Sequence, residues 1–509
     1  MAISYPTSLD TTTTFPSDID GAERSNALGT ANVGLDDLLN DLGAAVRALE
    51  AAVGVTDSAV TTSIRYILSK LFARDYYVGP GGYDSVQDAI DAADAAYDDD
   101  GTRGVVFVGT AAASEAITLK QGVCSLEGFP DYSKITLPAS TNGPLLTTDG
   151  FVTTDSNGGL YGFTIRNLIF DGNAANQASN SGEATVQIYG RSYRIDHVII
   201  RNSKTWAFYS NWSSDSGPPG PDDRGMEAFI NDLNCVAYTD GGINFVGPHD
   251  SHLENVICAD LTGSGGSTGI RLGERAYGTK LAHCHPYGNG HDYALDIDGA
   301  TGAQVESGQY EGAQTAQIRI KDVADVIVSG CKIYAAGTIS APVGIEIDGA
   351  SGYLVQNNQF RNLTSGVFNF VDDDIGVIEG NDNYQDTGTV LAGTMNVATT
   401  VRNNTGTGSA GGGPGTVVTI SGGVATVTPW CEFVFIAGEG AAADTLDKIL
   451  PMRRAGSRLL VVGSHELTLT HVVGAVGQLV NRTGAGATLG QFQLIEYVAS
   501  GVNDWTQPV

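Results

Sequence analysis

The 509 residues predict a mainly β chain whose middle three hundred residues wind as a parallel β-helix, a solenoid. An N-terminal arm with helices precedes it, and a separate β-sandwich or small barrel follows. Three observations carry this prediction. Apolar-polar-apolar triplets recur about every 25 residues between 241 and 370. A second, mostly aromatic series keeps phase with them. Gly is abundant, at 67 residues, as corners demand.

Residues 1–75 form the first region. Residues 1–30 are rich in Thr, Ser, Asp and Pro and have no period, which reads as an extended arm. From Leu35 the apolar residues Leu38, Leu42, Val46, Leu49 and Val53 step by three or four, an amphipathic helix stopping at Gly54. A second helical stretch runs from Val60 to Phe72, with Ile64, Ile67, Leu68 and Leu71 apolar. Stripes this short are marginal alone and are expected to dock on a copy or on a larger particle.

Residues 76–405 form the predicted shaft. Tyr76–Val78 and Gly79–Gly82 read as strand and turn, Asp84 or Ser85 as the cap of a helix burying Val86, Ile90, Ala93 and Tyr97, and Gly104–Val108 as a buried strand. Ile243, Ile270, Leu295, Ile318, Ile345 and Phe368 then stand 27, 25, 23, 27 and 23 residues apart. Phe245, Leu272, Ile297, Ile320, Ile347 and Phe370 follow two residues later, with a polar residue between each pair. Faces alternate along a strand, so each triplet turns two apolar residues inward and one polar residue outward. Tyr287, Tyr310, Ile333, Phe360 and Tyr384 trail this series and share its 27-residue step, where residues 332–343 carry an insertion. Weaker coils extend backward through 168–172, 197–200 and 233–236. Cys235, Cys258 and Cys284 are expected to stack at like positions.

Residues 406–415, GTGSAGGGPG, read as a linker, and 416–509 as an all-β module with strands at 416–420, 424–428, 433–436, 458–462, 467–470 and 492–498. Asp444–Leu450 reads as a short helix or turn.

The helix-then-strand entry at 76–130 resembles the start of the pectate-lyase-like right-handed parallel β-helix found in tailed-phage tail proteins. The C-terminal order, with its Phe435-Ile436, Asp444–Ile449, Leu459–Val461, Leu467–Leu469, Leu494–Tyr497 and Trp505, resembles the C-terminal domains of tailed-phage fibres and spikes. Residues 48–63 are likewise similar to phage structural proteins. The resemblance implies a tail fibre or tailspike for host attachment and receptor binding. It also implies a homotrimer, residues 1–75 that join other tail or baseplate proteins, and a host surface polysaccharide as partner. A polysaccharide depolymerase (glycoside hydrolase or lyase) on the same shaft is the alternative, and a head or decoration fibre a second. Whether the chain is an enzyme stays open at this stage.

A net charge of −30, from 27 basic and 57 acidic residues, argues against nucleic-acid binding and against adhesion to an anionic membrane. No apolar run is long enough to span a bilayer, and the first residues lack a signal-peptide pattern. The expectation is a virion protein assembled in the host cytoplasm. The six cysteines form no CxxC pair and read as buried thiols. Six of the eight histidines lie between His197 and His291, at differing corners, so no metal and no cofactor is expected.

Two groups of residues are candidates for chemistry. Asp296 with Asp298, and Glu346 with Asp348, each put two carboxylates on one outer face, a spacing compatible with acid/base work on a glycoside. Arg271, Arg319 and Lys321 occupy the same positions on neighbouring coils, so a cross-strand charge ladder competes with catalysis. The 36-residue step from Ile200 to Val236 is the second feature. Its surplus, around 211–224, marks a long loop. Trp206, Tyr209 and Trp212 offer faces for sugar rings, and Asp215, Asp222, Asp223 and Arg224 offer partners for hydroxyls.

Overall fold

The computed structural model describes residues 75–406, apart from 80–81, 110–112, 130–131, 154–158, 213–226, 261–265, 336–342, 364–365, 374, 385–388, 394–398 and 403, and the strands between 417 and 506. The expected arm and helices of residues 1–74, and the linker residues 407–415, lie outside the described residues.

The shaft is entered as the sequence suggests. Strand Asp75–Val78 pairs in parallel with Gly104–Val108. Between them helix α1, Val86–Asp100, is capped by Ser85, whose side chain accepts from the Asp88 N–H at 3.0 Å. It ends at Gly101, which takes the left-handed conformation at φ 70°. The Glu115 carboxylate accepts from the Val86 and Gln87 N–H groups at 2.8 and 3.0 Å, satisfying orphan donors at the positive end of the helix. Val86, Ala89, Ile90 and Ala93 are fully buried, so α1 closes the apolar end of the coils.

Above this cap every described strand pairing between 75 and 406 is parallel, including the twelve-stranded sheet that carries the triplets. Ile243, Ile270, Leu295, Ile318, Ile345 and Phe368 pair in one unbroken register, as do Phe245, Leu272, Ile297, Ile320, Ile347 and Phe370. All twelve are buried. The column also continues downward through Phe208, Val186, Leu146 and Ile117. Those steps measure 35, 22, 40 and 29 residues, so loops conceal them from a search for a constant period.

Another face carries Leu168, Val198 and Leu233 in register, then Phe170, Ile200 and Cys235. Cys235 pairs with Cys258, but Cys258 pairs with Pro286, so Cys284 does not join the thiol stack. It sits two residues earlier, at the corner. The aromatic series also divides. Tyr310, Ile333 and Phe360 share a buried column whose neighbour is Asn383, whereas Glu311, Tyr334, Arg361 and Tyr384 share the column beside it. Tyr287 pairs with Ala259 and lies one residue beyond Pro286, out of the buried column. A one-residue offset reverses a side chain's face, and spacing alone does not resolve it.

One corner recurs through nine coils. Asn167, His197, Asp232, Asn255, His283, Ser307, Gly330, Asn357 and Gly380 all have φ between 51° and 65°. Left-handed backbone costs most L-residues about 1–2 kcal/mol, less for Asn and Asp, and nothing for Gly. This explains the choice of Asn, Asp and Gly there, and shows that Gly shares the corner with other residues.

Just after this corner, buried polar groups join the coils. Asn358, Asn381 and Asn404 each accept from the backbone N–H of the equivalent residue one coil below at 2.9 Å. Each amide also donates to a backbone carbonyl, of Val328, Val355 and Ile378. Deeper in the shaft, His291 is fully buried. Its Nε2 meets the Tyr238 hydroxyl at 2.6 Å, and the two rings stack. Burial lowers the His291 pKa from 6.5 to about 4.

The five described cysteines are free; Cys235, Cys258, Cys284 and Cys331 are buried. Beyond residue 416 the strands form an eight-stranded and a three-stranded sheet. Val417–Thr419, Phe433–Ala437 and Arg458–Gly463 pair in parallel, then Leu494–Ala499 pairs antiparallel with Arg458–Gly463. Asp444–Leu446 and Lys448–Leu450 are strands rather than a helix or turn, because they pair with Leu467–Leu469 and Val424–Thr426. Long-range pairing overrides a weak local preference.

Asn381→Ala removes an acceptor from the Asn358 N–H and a donor to the Val355 carbonyl, and is expected to destabilise the shaft by about 2–4 kcal/mol, read from the denaturation midpoint. The His291 pKa is depressed on folding, so its contribution is intact above the unfolded value of 6.5 and is lost as pH falls toward about 4. The loss approaches about 3 kcal/mol at the acid end. Thermal midpoints measured across that window fall in the parent chain and fall less in His291→Gln.

Candidate functional site

The outward residues of the twelve-stranded sheet stack as Asn244, Arg271, Asp296, Arg319, Glu346 and Asn369. Adjacent strands lie about 4.8 Å apart, so each side chain meets its counterparts above and below. The Asp296 carboxylate, 3% exposed, accepts two hydrogen bonds from the Arg319 guanidinium, at 2.7 and 2.8 Å. Arg319 in turn lies over the Tyr293 ring, 4.2 Å from its centroid. Bonding to Asp296 strengthens the hold of Arg319 on its proton. Asp298 accepts from Arg271 at 2.6 Å and faces the Lys321 ammonium at 3.6 Å. Both carboxylates of the first candidate pair are therefore engaged from the coil below and the coil above, as the ladder expectation describes.

The second pair differs. Glu346 accepts from the Asn369 amide at 3.2 Å. Lys321 is paired in register with Asp348, yet its ammonium lies within 3.6 Å of Asp298 and Asp322. Among the described residues no cation stands within ion-pair distance of Glu346 or Asp348.

The aromatic candidates lie on or beside strand Trp206–Asn211. Tyr209 and Trp212 are 5% and 7% exposed. Phe151 packs edge-on against Tyr209, and the Arg191 guanidinium covers the Trp212 ring. Burial raises the Tyr209 hydroxyl to about 12. These two rings have little face left for a sugar, because the coil turns them into packing that their spacing does not disclose. Trp206 is half-buried, and its ring lies so close to Gly241 on the next coil that no side chain fits there. At the preceding corners, Asn173, Asn202, Ser203, Tyr238 and Thr239 help line a groove of about 380 Å³. Asp215, Asp222, Asp223 and Arg224 lie outside the described residues.

A third arrangement escaped the sequence reading. His285, Gln309, Glu311 and Tyr334 come from three successive coils. His285 Nε2 lies 2.9 Å from Glu311 Oε1 and 3.0 Å from the Gln309 amide nitrogen, and that amide donates to the Tyr334 hydroxyl at 2.6 Å. Partial burial and the Glu311 carboxylate push the Tyr334 pKa up. The available signal was the outward phase of the second series, which an eye on its apolar members passes over. The other described histidines have separate partners: His197 has Asp196 and Asp232, His249 has Asp250, His252 stacks on Phe229, and His283 has Glu254. No group of three metal-type ligands occurs among the described residues.

A family model described as a right-handed β-helix region matches residues 268–424. No match was found among curated protein sequences. Among solved structures, the chain is similar to the A-module of a mannuronan C-5 epimerase from Azotobacter vinelandii. That likeness has 16% identity and a TM-score of 0.46, and covers 66% of this chain and all of that one. It is similar to the pre-mature gene product 12 of bacteriophage phi29 (12% identity, TM-score 0.44, 77% of this chain and 57% of that one). It is also similar to a tailspike of the Acinetobacter baumannii bacteriophage Fri1, a capsular polysaccharide depolymerase (13%, 0.38, 64% of each). The neighbours thus include a mannuronan epimerase module, a bacteriophage gene product and a tailspike depolymerase. At these scores they carry no argument about the chemistry of this chain, and the fold rests on the strand register and the family model.

Arg319→Ala leaves the buried Asp296 carboxylate without its bidentate partner and is expected to cost about 2–4 kcal/mol. The double variant Arg319→Ala/Asp296→Ala is expected to recover part of that loss, a non-additivity read from a double-mutant cycle of denaturation midpoints.

Proposed function

We propose that the chain is a virion fibre or spike protein that attaches to host-cell surface glycans. The observation that carries binding over cleavage is the charge ladder on the twelve-stranded sheet. Asp296 and Asp298 are both held by cations from neighbouring coils. A carboxylate so engaged serves register and is not available as general acid or base. Several features support the wider reading: a parallel-coiled shaft, end regions that resemble tailed-phage structural proteins, and the 36-residue sequence step from Ile200 to Val236. In this reading the assembly is a homotrimer, residues 1–75 join it to other virion proteins, and Trp206 together with the groove lined by Asn173, Asn202 and Tyr238 contacts glycan.

Depolymerase activity is the second reading, and one observation favours a particular site for it. Glu346 and Asp348 sit on one strand face, about 7 Å apart at the backbone, with no ion pair to a described cation.

Purified chain incubated with host capsule or lipopolysaccharide separates the two. Retention of the glycan without new reducing ends or unsaturated sugars is the expected result, and Trp206→Ala weakens it about tenfold. Glycan release that disappears in Glu346→Gln or Asp348→Asn establishes the depolymerase instead. If neither retention nor release occurs, the attachment reading fails.

A further inference from the structure

The outward face of the five-stranded sheet holds a second set of groups that the ladder does not use. Strands Gln309–Glu311 and Lys332–Tyr334 are adjacent in it, and His285–Tyr287 lies one coil below. The His285 ring, the Glu311 carboxylate, the Gln309 amide and the Tyr334 hydroxyl are fixed by one another at 2.6–3.0 Å. Tyr287 packs at an angle on His285, ring centroids 4.9 Å apart. Tyr287 and Tyr334 stand two coils apart, about 10 Å along the shaft. Lys332 is exposed and makes no ion pair with any described residue. Of the described cations, Arg166, Arg271, Arg319 and Lys321 are in ion pairs, whereas exposed Lys280 and Lys332 are not, and Lys332 shares its outward strand face with Tyr334.

We propose that this face binds a carboxylate-bearing sugar chain lying along the shaft. Lys332 takes the carboxylate, Tyr287 and Tyr334 give the rings their apolar surface, and Gln309 and Glu311 take hydroxyls. Charge complementarity selects this occupant. The ammonium is the group left without a counter-ion, while the carboxylate on the face is already held by His285 and Tyr334. A neutral sugar leaves Lys332 unused. The amide and carboxylate are preorganised by their bonds to His285 and Tyr334, so binding orders few side chains. The proposal rests on the glycan-attachment reading, but places the contact on a different sheet from Trp206.

The test is calorimetric titration of the full-length protein with a hexamer of galacturonate and a hexamer of glucose. The galacturonate hexamer is expected to bind at least about tenfold more tightly, a preference that Lys332→Gln abolishes and Tyr287→Ala weakens about tenfold. Trp206→Ala leaves that preference in place. Lys332 is solvent-exposed, so its replacement leaves the fold intact, checked by circular dichroism. Equal binding of the two hexamers, binding of neither, or a preference that survives Lys332→Gln overturns the proposal. If host capsule is still retained in any of these cases, the attachment reading stands and only this site is wrong. If it is not, both fall.

Discussion

Parallel strands stacked about 4.8 Å apart must place like positions of successive coils over one another, and almost everything else in this shaft follows from that constraint. An inward position becomes a column of apolar residues, as from Ile117 to Phe368. A corner in left-handed backbone becomes a column of Asn, Asp, His, Ser and Gly. A polar residue turned inward becomes acceptable when the residues above and below are also polar. Asn358, Asn381 and Asn404 meet that condition by bonding one another's backbone, and α1 covers the apolar face at the first coil.

The same stacking governs the outer surface. A charge repeated at one position would face itself at short range on every coil, which is unfavourable. The chain alternates instead: Arg271, Asp296, Arg319 and Glu346 follow one another, and Asp298 and Lys321 do so in the next outward column. Neutralisation by register explains how carboxylates spaced like a catalytic pair come to be engaged by cations on neighbouring coils. It also explains why a pair at the end of the alternation, Glu346 and Asp348, differs from one in its middle. Any ligand site on such a surface is made from columns, with groups far apart in sequence brought beside one another by the winding. The groove lined by Asn173, Asn202 and Tyr238 and the network of His285, Gln309, Glu311 and Tyr334 are both assembled in this way.

How much of this was legible depended on the regularity of the coil. Where loops are short, from Ile243 to Phe370, the spacing of apolar residues alone gives pairing, face and core, and the ladder of Arg271, Asp296 and Arg319 could be read beforehand. Where loops vary, between Ile117 and Phe208, the same column exists but its period is lost. Tyr287 and Cys284 show a finer limit. Each was one or two residues out of phase, a slip small beside the 23 to 27 residue step yet sufficient to move a side chain to another face or corner.

By itself the sequence determined the winding, its apolar lining and its signs of charge, because these depend on residue types recurring at a near-constant interval. Only the tertiary structure decided which partners those residues met. It buried the Tyr209 and Trp212 rings against Phe151 and Arg191, gave Asp296 and Asp298 to cations, and gathered His285, Gln309, Glu311 and Tyr334 into one network. The physical reason is that a coil's neighbours above and below are set by loop lengths summed over whole turns, and no local run of residues records that sum.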